Sequence, residues 1–378
     1  MCFLQRFKVL TIVMFFMFTS SFAIAETSEL PDNMIWSCYD VGSSGYVQAS
    51  AVANAFLKQY DKRVRLIPSG TSIGRIMPLV AGKASVGFLA NEAFFASEGA
   101  YDFATYEWGP QDLRAILGRP TSFPLITTKV SGIKKIADLK GKRVSWVIGN
   151  PSLNVKMTGF LAFAGLTWDD VIKVPFPSYA DSLKALIQGN VDAADGSTTA
   201  SILYELDSST KGVYYPELPP EDKEGWKRLR KVVPFGFPYQ ENIGAGIDKN
   251  KPIWMLGYKY PVITVRKDAD IDFVYNFIKA MDETYSLYKD AASSMATWKI
   301  TQSGNTPIDV PFHEGAIKYL KEKGIWTAED EEWQKQRVAE LEKIKKEWLA
   351  AVKYAKSKNL SQESFREYWM EKLDSLKK

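Results

Sequence analysis

Few side chains in this sequence are suited to acid–base, nucleophilic or metal chemistry. The chain has one histidine, His313, which precedes Glu314 at the start of a helical pattern. A lone histidine without a matching ligand motif is a poor zinc site. The chain also lacks a phosphate-binding loop that ends in Lys-Ser/Thr, and residues 42–45 lack the third glycine of a dinucleotide fingerprint. We therefore expect no enzyme activity, no bound metal and no cofactor.

Polar but uncharged loops are better represented than catalytic groups. Loops at residues 42–46, 69–72 and 149–154 are rich in Ser, Thr, Asn and Gly, and each lies between a strand pattern and a helix pattern. The first N–H groups of a helix have no partner within the helix, so they favour an anion. An ordinary capped helix is the alternative for any single loop, but the recurrence favours binding. The predicted ligand-binding residues are Ser43, Ser44, Tyr46, Ser69, Thr71, Ser72, Asn91, Asn150, Ser152, Asn154, Asp195, Ser197, Thr198 and Tyr239.

These neutral donors suit a small carboxylate-bearing molecule held without a metal. If that molecule also carries an amino group, Asp195 or Glu92 could pair with it. The single cysteine beyond residue 25, Cys38, lies in a strand pattern and is expected to be a buried small apolar residue.

Strands and helices alternate along the part of the chain that carries these loops. Strands are predicted at residues 34–41, 64–67, 86–89, 113–117, 124–128, 143–148, 171–174 and 261–266, with residues 118–123 as a connection. Helices are predicted near residues 47–60, 75–81, 154–165, 179–188 and 272–289. This order indicates an α/β fold with parallel sheets, whose ligands bind beyond the carboxyl ends of the strands.

The chain is predicted to form two lobes with a hinge between them. Lobe 1 would comprise residues 26–120 and 241–326, lobe 2 residues 121–240, and a C-terminal helical extension residues 327–378. Because the chain crosses twice between the lobes, the cleft is the natural binding site. An apolar stripe in the extension leaves two alternatives: packing on lobe 1, as in a monomer, or a dimer through the C-terminal helix.

Residues 1–25 are typical of a secretory signal peptide that is cleaved after Ala25. Arg6 and Lys8 precede an apolar run over residues 9–18, which is shorter than a membrane span, and Ala23 and Ala25 form a small-x-small cleavage pattern. We therefore expect a periplasmic protein. The formal charge of +4 is too small to indicate a nucleic-acid partner.

Several segments resemble one known family. They are residues 42–46, 69–72, 79–84, 136–144, 185–193, 265–268 and, most specifically, 311–324, where Glu314 replaces the proline of a His-Pro-Gly-Ala segment. Residues 34–326 thus resemble the TAXI-type solute-binding subunits of tripartite ATP-independent periplasmic (TRAP) transporters. The loop at residues 149–152 departs from the family's Gly-Ser-Gly-Thr, so the ligand could differ from the family's usual one.

The resemblance implies a two-lobed periplasmic-binding-protein fold (type II-like) that closes on a small-molecule solute. It also implies delivery to an integral-membrane TRAP permease subunit for uptake driven by an ion gradient. Family members favour small carboxylates, amino acids such as glutamate, or oxoacids. The alternatives are the receptor of an ATP-driven (ABC) importer, an enzyme on the same fold, and a sensory subunit whose C-terminal helix docks a receptor.

Overall fold

The computed structural model of the chain describes residues 30–377. The predicted signal peptide therefore lies outside the described residues. Within them, no helix is both long enough and apolar enough to cross a membrane.

Strands in the described range belong to one large sheet and several small ones. They are β1 (Asn33–Tyr39), β2 (Arg63–Ser69), β3 (Val86–Leu89), β4 (Leu113–Phe123), β5 (Leu125–Thr128), β6 (Arg143–Val147), β7 (Ile172–Phe176), β8 (Ala194–Asp195), β9 (Val213–Tyr214), β10 (Phe237–Glu241) and β11 (Ile253–Arg266).

The helices in the same range lie between the strands and, after β11, follow one another to the C-terminus. They are α1 (Ser44–Tyr60), α2 (Ser72–Val80), α3 (Glu92–Glu98), α4 (Pro151–Phe163), α5 (Tyr179–Gln188), α6 (Ser201–Ser208), α7 (Lys223–Val232), α8 (Ile271–Glu283), α9 (Tyr285–Tyr288), α10 (Ile300–Ser303), α11 (Glu314–Glu322), α12 (Ala328–Ser357) and α13 (Gln362–Leu376).

The large sheet has the strand order β10-β11-β3-β1-β2, and β4 also pairs with β11. β1 runs parallel to β2 and β3, because α1 and α2 provide the crossover connections that parallel neighbours need. β11 is antiparallel to β3, β4 and β10. The predicted α/β fold is confirmed, but this sheet is mixed rather than parallel throughout.

A second group of short strands forms the other half of the molecule. β6 and β7 are parallel, whereas β5 lies between β8 and β9 with antiparallel pairing. α4 and α5 follow strands of this group. We call this group with α4–α7 the small-sheet half and the rest the large-sheet half.

The predicted connection over residues 118–123 is wrong, because β4 continues unbroken through it. Gly118 pairs with Val262, and residues 120–123 pair with residues 259–256, so β11 supplies partners on both sides of an irregularity at Arg119. Glycine and proline lower the intrinsic strand preference here, but pairing with a long neighbouring strand overrides it. The predicted lobe boundaries at residues 120 and 240 fall inside β4 and β10, and the division into lobes stays a prediction.

The core of the large-sheet half centres on Trp36 of β1. Its ring packs against Phe56, Phe88 and Phe277, with centroids 5.3–5.6 Å apart. These rings come from α1, β3 and α8, so they join the sheet to the helices on it. Cys38 is fully buried and free, as predicted.

The C-terminal extension forms α12 and α13, which pack on the body of the same chain. Ile344, Trp348 and Ala355 of the predicted apolar stripe are buried. The Trp348 ring packs against Phe365 and Trp369 of α13, with centroids 5.1 and 4.9 Å away. Phe365 of α13 also stacks on Tyr106 at 4.5 Å, and Arg337 of α12 bonds Glu98 of α3, so the extension packs on the body of the chain, whereas dimer formation stays a prediction.

Candidate functional site

Loops from the two halves meet and form hydrogen bonds with each other. The Ser44 hydroxyl at the start of α1 lies 2.8 Å from that of Thr199 in the small-sheet half. The carbonyl of Gly70 accepts hydrogen bonds from the backbone N–H of Tyr179 at 3.1 Å and the amide of Asn150 at 3.3 Å. The loops predicted to bind a ligand therefore lie together between the halves, in a closed arrangement.

Three of the predicted residues cap the helices that start in these loops. Ser43 accepts a hydrogen bond from the N–H of Tyr46 at 3.1 Å, and Thr71 accepts one from Gly74 at 3.1 Å. Asn150 caps α4 in the same way. Such caps satisfy one of the free N–H groups of a helix. These side chains thus already have partners, as in the ordinary-cap alternative.

A fully buried ion pair lies beneath the loops. The Nε of Arg75 donates to Oε1 of Glu92 at 2.7 Å, and both side chains are 0% exposed. The guanidinium also donates to the carbonyl of Ser69 and lies 3.4 Å from the ring centroid of Tyr39. Burial is the largest effect on the pKa of Arg75 and lowers it, but the charge and hydrogen bond of Glu92 together with the neighbouring Tyr39 and Tyr260 raise that pKa above its ordinary value. The pair holds α2 against α3 with a fixed charge arrangement.

Lys156 of α4 is a second buried cation, and it reaches across from the small-sheet half. Its Nζ donates to Oδ1 of Asn91 at 2.6 Å and to the hydroxyl of Ser152 at 3.2 Å. The ammonium also lies 4.3 and 4.7 Å from the ring centroids of Phe123 and Tyr258. Burial lowers the pKa of Lys156, while the charge of Asp195 and other acids opposes this effect. Lys156 is therefore a buried group at the contact between the halves.

Asp195, at the end of β8, is the buried acid that interacts most strongly with Lys156. Its Oδ2 atom is buried and has no hydrogen-bond partner within residues 30–377. Burial raises the pKa of Asp195, and the charge of Lys156 lowers it in part. A buried carboxylate oxygen without a partner is costly. Asp195 can thus accept a hydrogen bond from an ammonium or hydroxyl group in the site.

A group of tyrosines forms a wall next to these charges. Tyr39 of β1 makes edge contacts with Tyr260 at 5.2 Å and with Tyr179 of the other half at 6.2 Å between centroids. Tyr258 stacks on Tyr260 at 5.7 Å. Burial raises the pKa of all four hydroxyls, so they are neutral at physiological pH. The wall excludes water and leaves Lys156 and Asp195 as strong electrostatic partners.

Asp309 lies behind Asn91, on the side away from Lys156. The amide of Asn91 donates to Oδ2 of Asp309 at 3.0 Å, and burial raises the pKa of Asp309 to about 7. A free aspartate titrates near pH 3.9, so between about pH 4 and pH 7 the folded chain binds more protons than the unfolded chain. The ionised carboxylate of Asp309 therefore destabilises the fold progressively as the pH rises through this window.

The Asp309→Asn substitution should remove this pH dependence. We expect the free energy of unfolding of the variant to fall less between about pH 4.5 and pH 7.5 than that of the wild type, because asparagine does not titrate. Urea unfolding at several pH values measures the difference. The exposed Asp272→Asn variant is the control and should follow the wild type. Parallel pH profiles of Asp309→Asn and wild type would contradict the assignment.

Other predicted residues of the site have varied surroundings. Ser72 donates to Oδ1 of Asn150 at 2.7 Å across the contact between the halves, whereas Ser197 lies 3.1 Å from Thr199 of its own half, which in turn contacts Ser44. Asn154 instead bonds the backbone of Val147 through both ends of its amide, which is a structural role.

Four further predicted residues are not joined to Lys156 or Asp195 by hydrogen bonds in the described chain. The Thr198 hydroxyl donates to the carbonyl of Ile243, and that of Ser69 turns back to Thr71. Tyr239 lies on β10, where the charge of Glu241 contributes to its raised pKa, after burial. Tyr46 is half-buried in the first turn of α1. The role of all fourteen predicted residues in binding stays a prediction.

The prediction missed Lys156, Arg75 and Asp309. A sequence signal existed for Lys156, because it is the only charged residue between Pro151 and Phe163 and therefore has no charged face to join. Arg75 is likewise the only charged residue within α2. Asp309 lies in a loop and had no such signal.

Residues 70–74 also fit the Gly-x-Ser-x-Gly pattern of hydrolase nucleophiles, with Ser72 between β2 and α2. The hydroxyl of Ser72 donates to Asn150, and no histidine contacts it within residues 30–377. His313 instead caps α11 through Nδ1 and bonds the carbonyl of Ala269 through Nε2. The Ser72 hydroxyl also lies 3.4 Å from Oε2 of Glu92, whose other carboxylate oxygen is bonded to Arg75, so within the described residues the pattern has a carboxylate neighbour but no histidine base. Within the same residues, no group of three or more His, Cys, Asp or Glu side chains could hold a metal ion.

Comparison with protein families matches residues 41–324 to the model of the NMT1-like family. Similar solved structures include the alkanesulfonate-binding protein SsuA from Xanthomonas axonopodis pv. citri bound to MOPS. The two sequences are 17% identical, the match covers 77% of this chain and 84% of that chain, and the TM-score is 0.43. Another is PhnD1 from Prochlorococcus marinus (MIT 9301) in complex with methylphosphonate. The two sequences are 10% identical, the match covers 78% of this chain and 99% of that chain, and the TM-score is 0.47. Similarity this low assigns no ligand to the present chain.

Proposed function

This chain belongs to the NMT1-like family, and we propose that it is a periplasmic protein that binds a small solute between its two halves for delivery to a membrane transporter. The observation that carries this proposal is the pair of buried charges, Lys156 and Asp195, beneath loops that come from both halves. Asp195 has a buried oxygen without a partner within the described residues, so one more polar group would complete the site.

The charges of the site favour a solute that carries both a carboxylate and an amino group. Lys156 and the nearby starts of α1 and α2 suit the carboxylate, and Asp195 suits the ammonium. Of carboxylates, amino acids and oxoacids, we therefore propose an amino acid.

Binding and closure would support each other. The bonds of Ser44 with Thr199 and of Asn150 with the Gly70 carbonyl join the two halves, so they form only when the halves are together. A solute that neutralises Asp195 between the halves would favour that state, because a ligand shifts an equilibrium by its difference in affinity.

A thermal-shift screen of the refolded, ligand-stripped protein without residues 1–25 tests the function. The panel contains L-glutamate, L-glutamine, L-alanine, succinate and 2-oxoglutarate. A ligand that binds only the folded state at 100 times its Kd stabilises it by about 2.7 kcal/mol. We expect a rise in Tm with an amino acid. A rise with succinate or 2-oxoglutarate alone would overturn the amino-acid assignment, and no rise with any compound would contradict the proposed solute class.

The resemblance of residues 34–326 to TAXI-type proteins favours a TRAP permease as the membrane partner. Uptake in intact cells distinguishes the routes. Transport that stops when the ion gradients are dissipated and continues when ATP is depleted would support a TRAP transporter. The opposite pattern would assign the chain to an ABC importer, and loss of a signalling response without loss of uptake would assign it to a sensor.

A substitution in the loop before α2 should block the site. Thr71→Arg is expected to abolish binding of the compound that raises Tm most, because a long cation would enter the contact between the halves. It should lower the free energy of unfolding by only about 1 kcal/mol, the usual cost of a lost cap. Isothermal titration calorimetry measures binding, and circular dichroism checks the fold.

Thr167→Arg is the matched control, since Thr167 is an exposed cap that bonds Asp169 in the small-sheet half. Its affinity should equal that of the wild type. If Thr71→Arg binds as well as Thr167→Arg, the site lies elsewhere.

A further inference from the structure

The first turns of α12 hold the loop that precedes α11. Gln334 makes two bonds with the backbone of Phe312: its Oε1 accepts from the N–H at 2.8 Å, and its Nε2 donates to the carbonyl at 3.0 Å. One turn earlier, Oδ1 of Asp330 accepts from the N–H and the hydroxyl of Thr306, at 2.8 and 2.6 Å. Both ends of the loop at residues 306–312 are thus attached to one face of α12.

Arg337 attaches the middle of the same loop. Its Nη2 donates to the carbonyl of Asp309 at 3.2 Å. The guanidinium is held in turn by Glu98 of α3 at 2.9 Å and by Glu340 at 2.7 Å, and the Arg337 side chain is only 7% exposed. Because positions 330, 334 and 337 lie on one face of a helix, one rigid element sets the course of the loop.

This loop is two hydrogen bonds away from the buried ammonium of Lys156. The carboxylate of Asp309 accepts from the Asn91 amide nitrogen, and the Asn91 amide oxygen accepts from Lys156. An amide that donates at one end and accepts at the other cannot turn over without losing both bonds. The position of Asp309 therefore determines which end of Asn91 faces Lys156.

We propose that Asp330, Gln334 and Arg337 are positioning residues for the binding site, so that the C-terminal extension sets the affinity for the solute through Asp309 and Asn91. This inference rests on the proposed function for its effect on affinity, but not for its effect on Lys156. The extension is then part of the binding machinery rather than a separate module. A purely structural extension would stabilise the large-sheet half and leave Lys156 unaffected.

The test compares Gln334→Ala with Gln336→Ala. Gln334 holds Phe312, whereas Gln336 is exposed and donates to Glu332, four positions earlier on the same helix. Protein labelled with 13C at the lysine Cε atoms is titrated by NMR, and the Lys156 signal is assigned from its loss in Lys156→Met. The titratable groups that face Lys156 and must be considered with it are Asp195, Glu92, Asp309, Arg75 and Tyr258.

We expect Gln334→Ala to lower the titration midpoint of Lys156 by about 0.5 unit or more, because a loosened Asn91 stabilises the ammonium less. Its Kd for L-glutamate, measured by calorimetry, should rise about 3- to 10-fold. Gln336→Ala should match the wild type in both measurements. Arg337→Lys, which keeps the charge beside Glu98, is a second variant and should shift the Lys156 midpoint in the same direction.

An unchanged Lys156 midpoint in both Gln334→Ala and Arg337→Lys would overturn the inference, whatever their Tm. A wild-type protein that does not bind L-glutamate would count against the proposed solute, whereas the NMR titration would still decide whether α12 positions Lys156. The two failures are therefore distinguishable.

Discussion

Lys156→Met is expected to weaken solute binding about 10- to 100-fold. Lys156 is the buried cation that reaches from α4 to Asn91 across the contact between the halves. A hydrogen bond to a charged group contributes about 1.5–3 kcal/mol, and a tenfold change in affinity corresponds to about 1.4 kcal/mol. Methionine has a similar length but no charge. Calorimetry with the compound that raises Tm most in the screen measures the loss.

The control for this prediction is Lys184→Met, an exposed lysine of α5 in the same half. Its Kd should stay within about twofold of the wild type, because exposed charges contribute little and are screened by salt. Lys156→Met/Asp195→Asn removes the charge from both members of the buried pair and should bind no better than Lys156→Met. Wild-type affinity in Lys156→Met would show that the solute does not contact this cation.

Arg75→Met is expected to lower the free energy of unfolding by about 3–5 kcal/mol. Arg75 and Glu92 are both fully buried and bonded at 2.7 Å, so removing the cation leaves the Glu92 carboxylate buried without its partner. Removing one partner of a buried ion pair typically lowers the free energy of unfolding by about 3–5 kcal/mol. Replacing both partners with apolar residues often leaves that free energy almost unchanged. Urea unfolding followed by circular dichroism measures the loss.

Lys227→Met is the matched control, because Lys227 and Glu224 form an exposed pair with 67% and 74% of their side-chain surface accessible. The Lys227→Met substitution should lower the free energy of unfolding by less than about 1 kcal/mol. Arg75→Met/Glu92→Met should recover part of the stability that Arg75→Met loses. A loss below 1 kcal/mol in Arg75→Met would mean that the Glu92 carboxylate finds another partner or takes up a proton.

These two expectations concern different parts of one buried group of charges. Arg75 already has its acid at bonding distance, so its main effect should be on stability. Lys156 has neutral partners, Asn91 and Ser152, and its acids act through space. We therefore expect the main effect of Lys156 to be on binding of the proposed solute, since a charge-assisted hydrogen bond to a carboxylate is stronger than one to a neutral group.

Local signals in the sequence were sufficient for several elements. The prediction for α5, residues 179–188, agrees with the structure at both ends. Ser178 caps its start, and Gly189 ends it with a positive φ of 84°. The predicted strand at residues 86–89 also agrees with β3. In both cases, neighbouring residues alone carry the start and stop signals.

The bounds of other elements depend on contacts that the sequence near them does not reveal. β4 continues through Gly118 and Pro120 only because β11, more than 130 residues later, pairs with it. The predicted helix at residues 272–289 is divided into α8 and α9 at Thr284, whose hydroxyl bonds the carbonyl of Ala280. The secondary-structure propensities of the residues near such positions are compatible with a strand, a helix or a loop, and contacts with distant parts of the chain select one of these.

The sequence by itself determined the α/β order of the elements and the polar loops at the carboxyl ends of β1, β2 and β6, since these depend on periodicity and on residues close in the chain. Only the tertiary structure decided which charged residues of the site lie together and which of them are buried. Asn91 and Asp309 are 218 residues apart, and Lys156 is 65 residues from Asn91. Burial changes the cost of a charge, and burial arises only when the two halves and α12 come together.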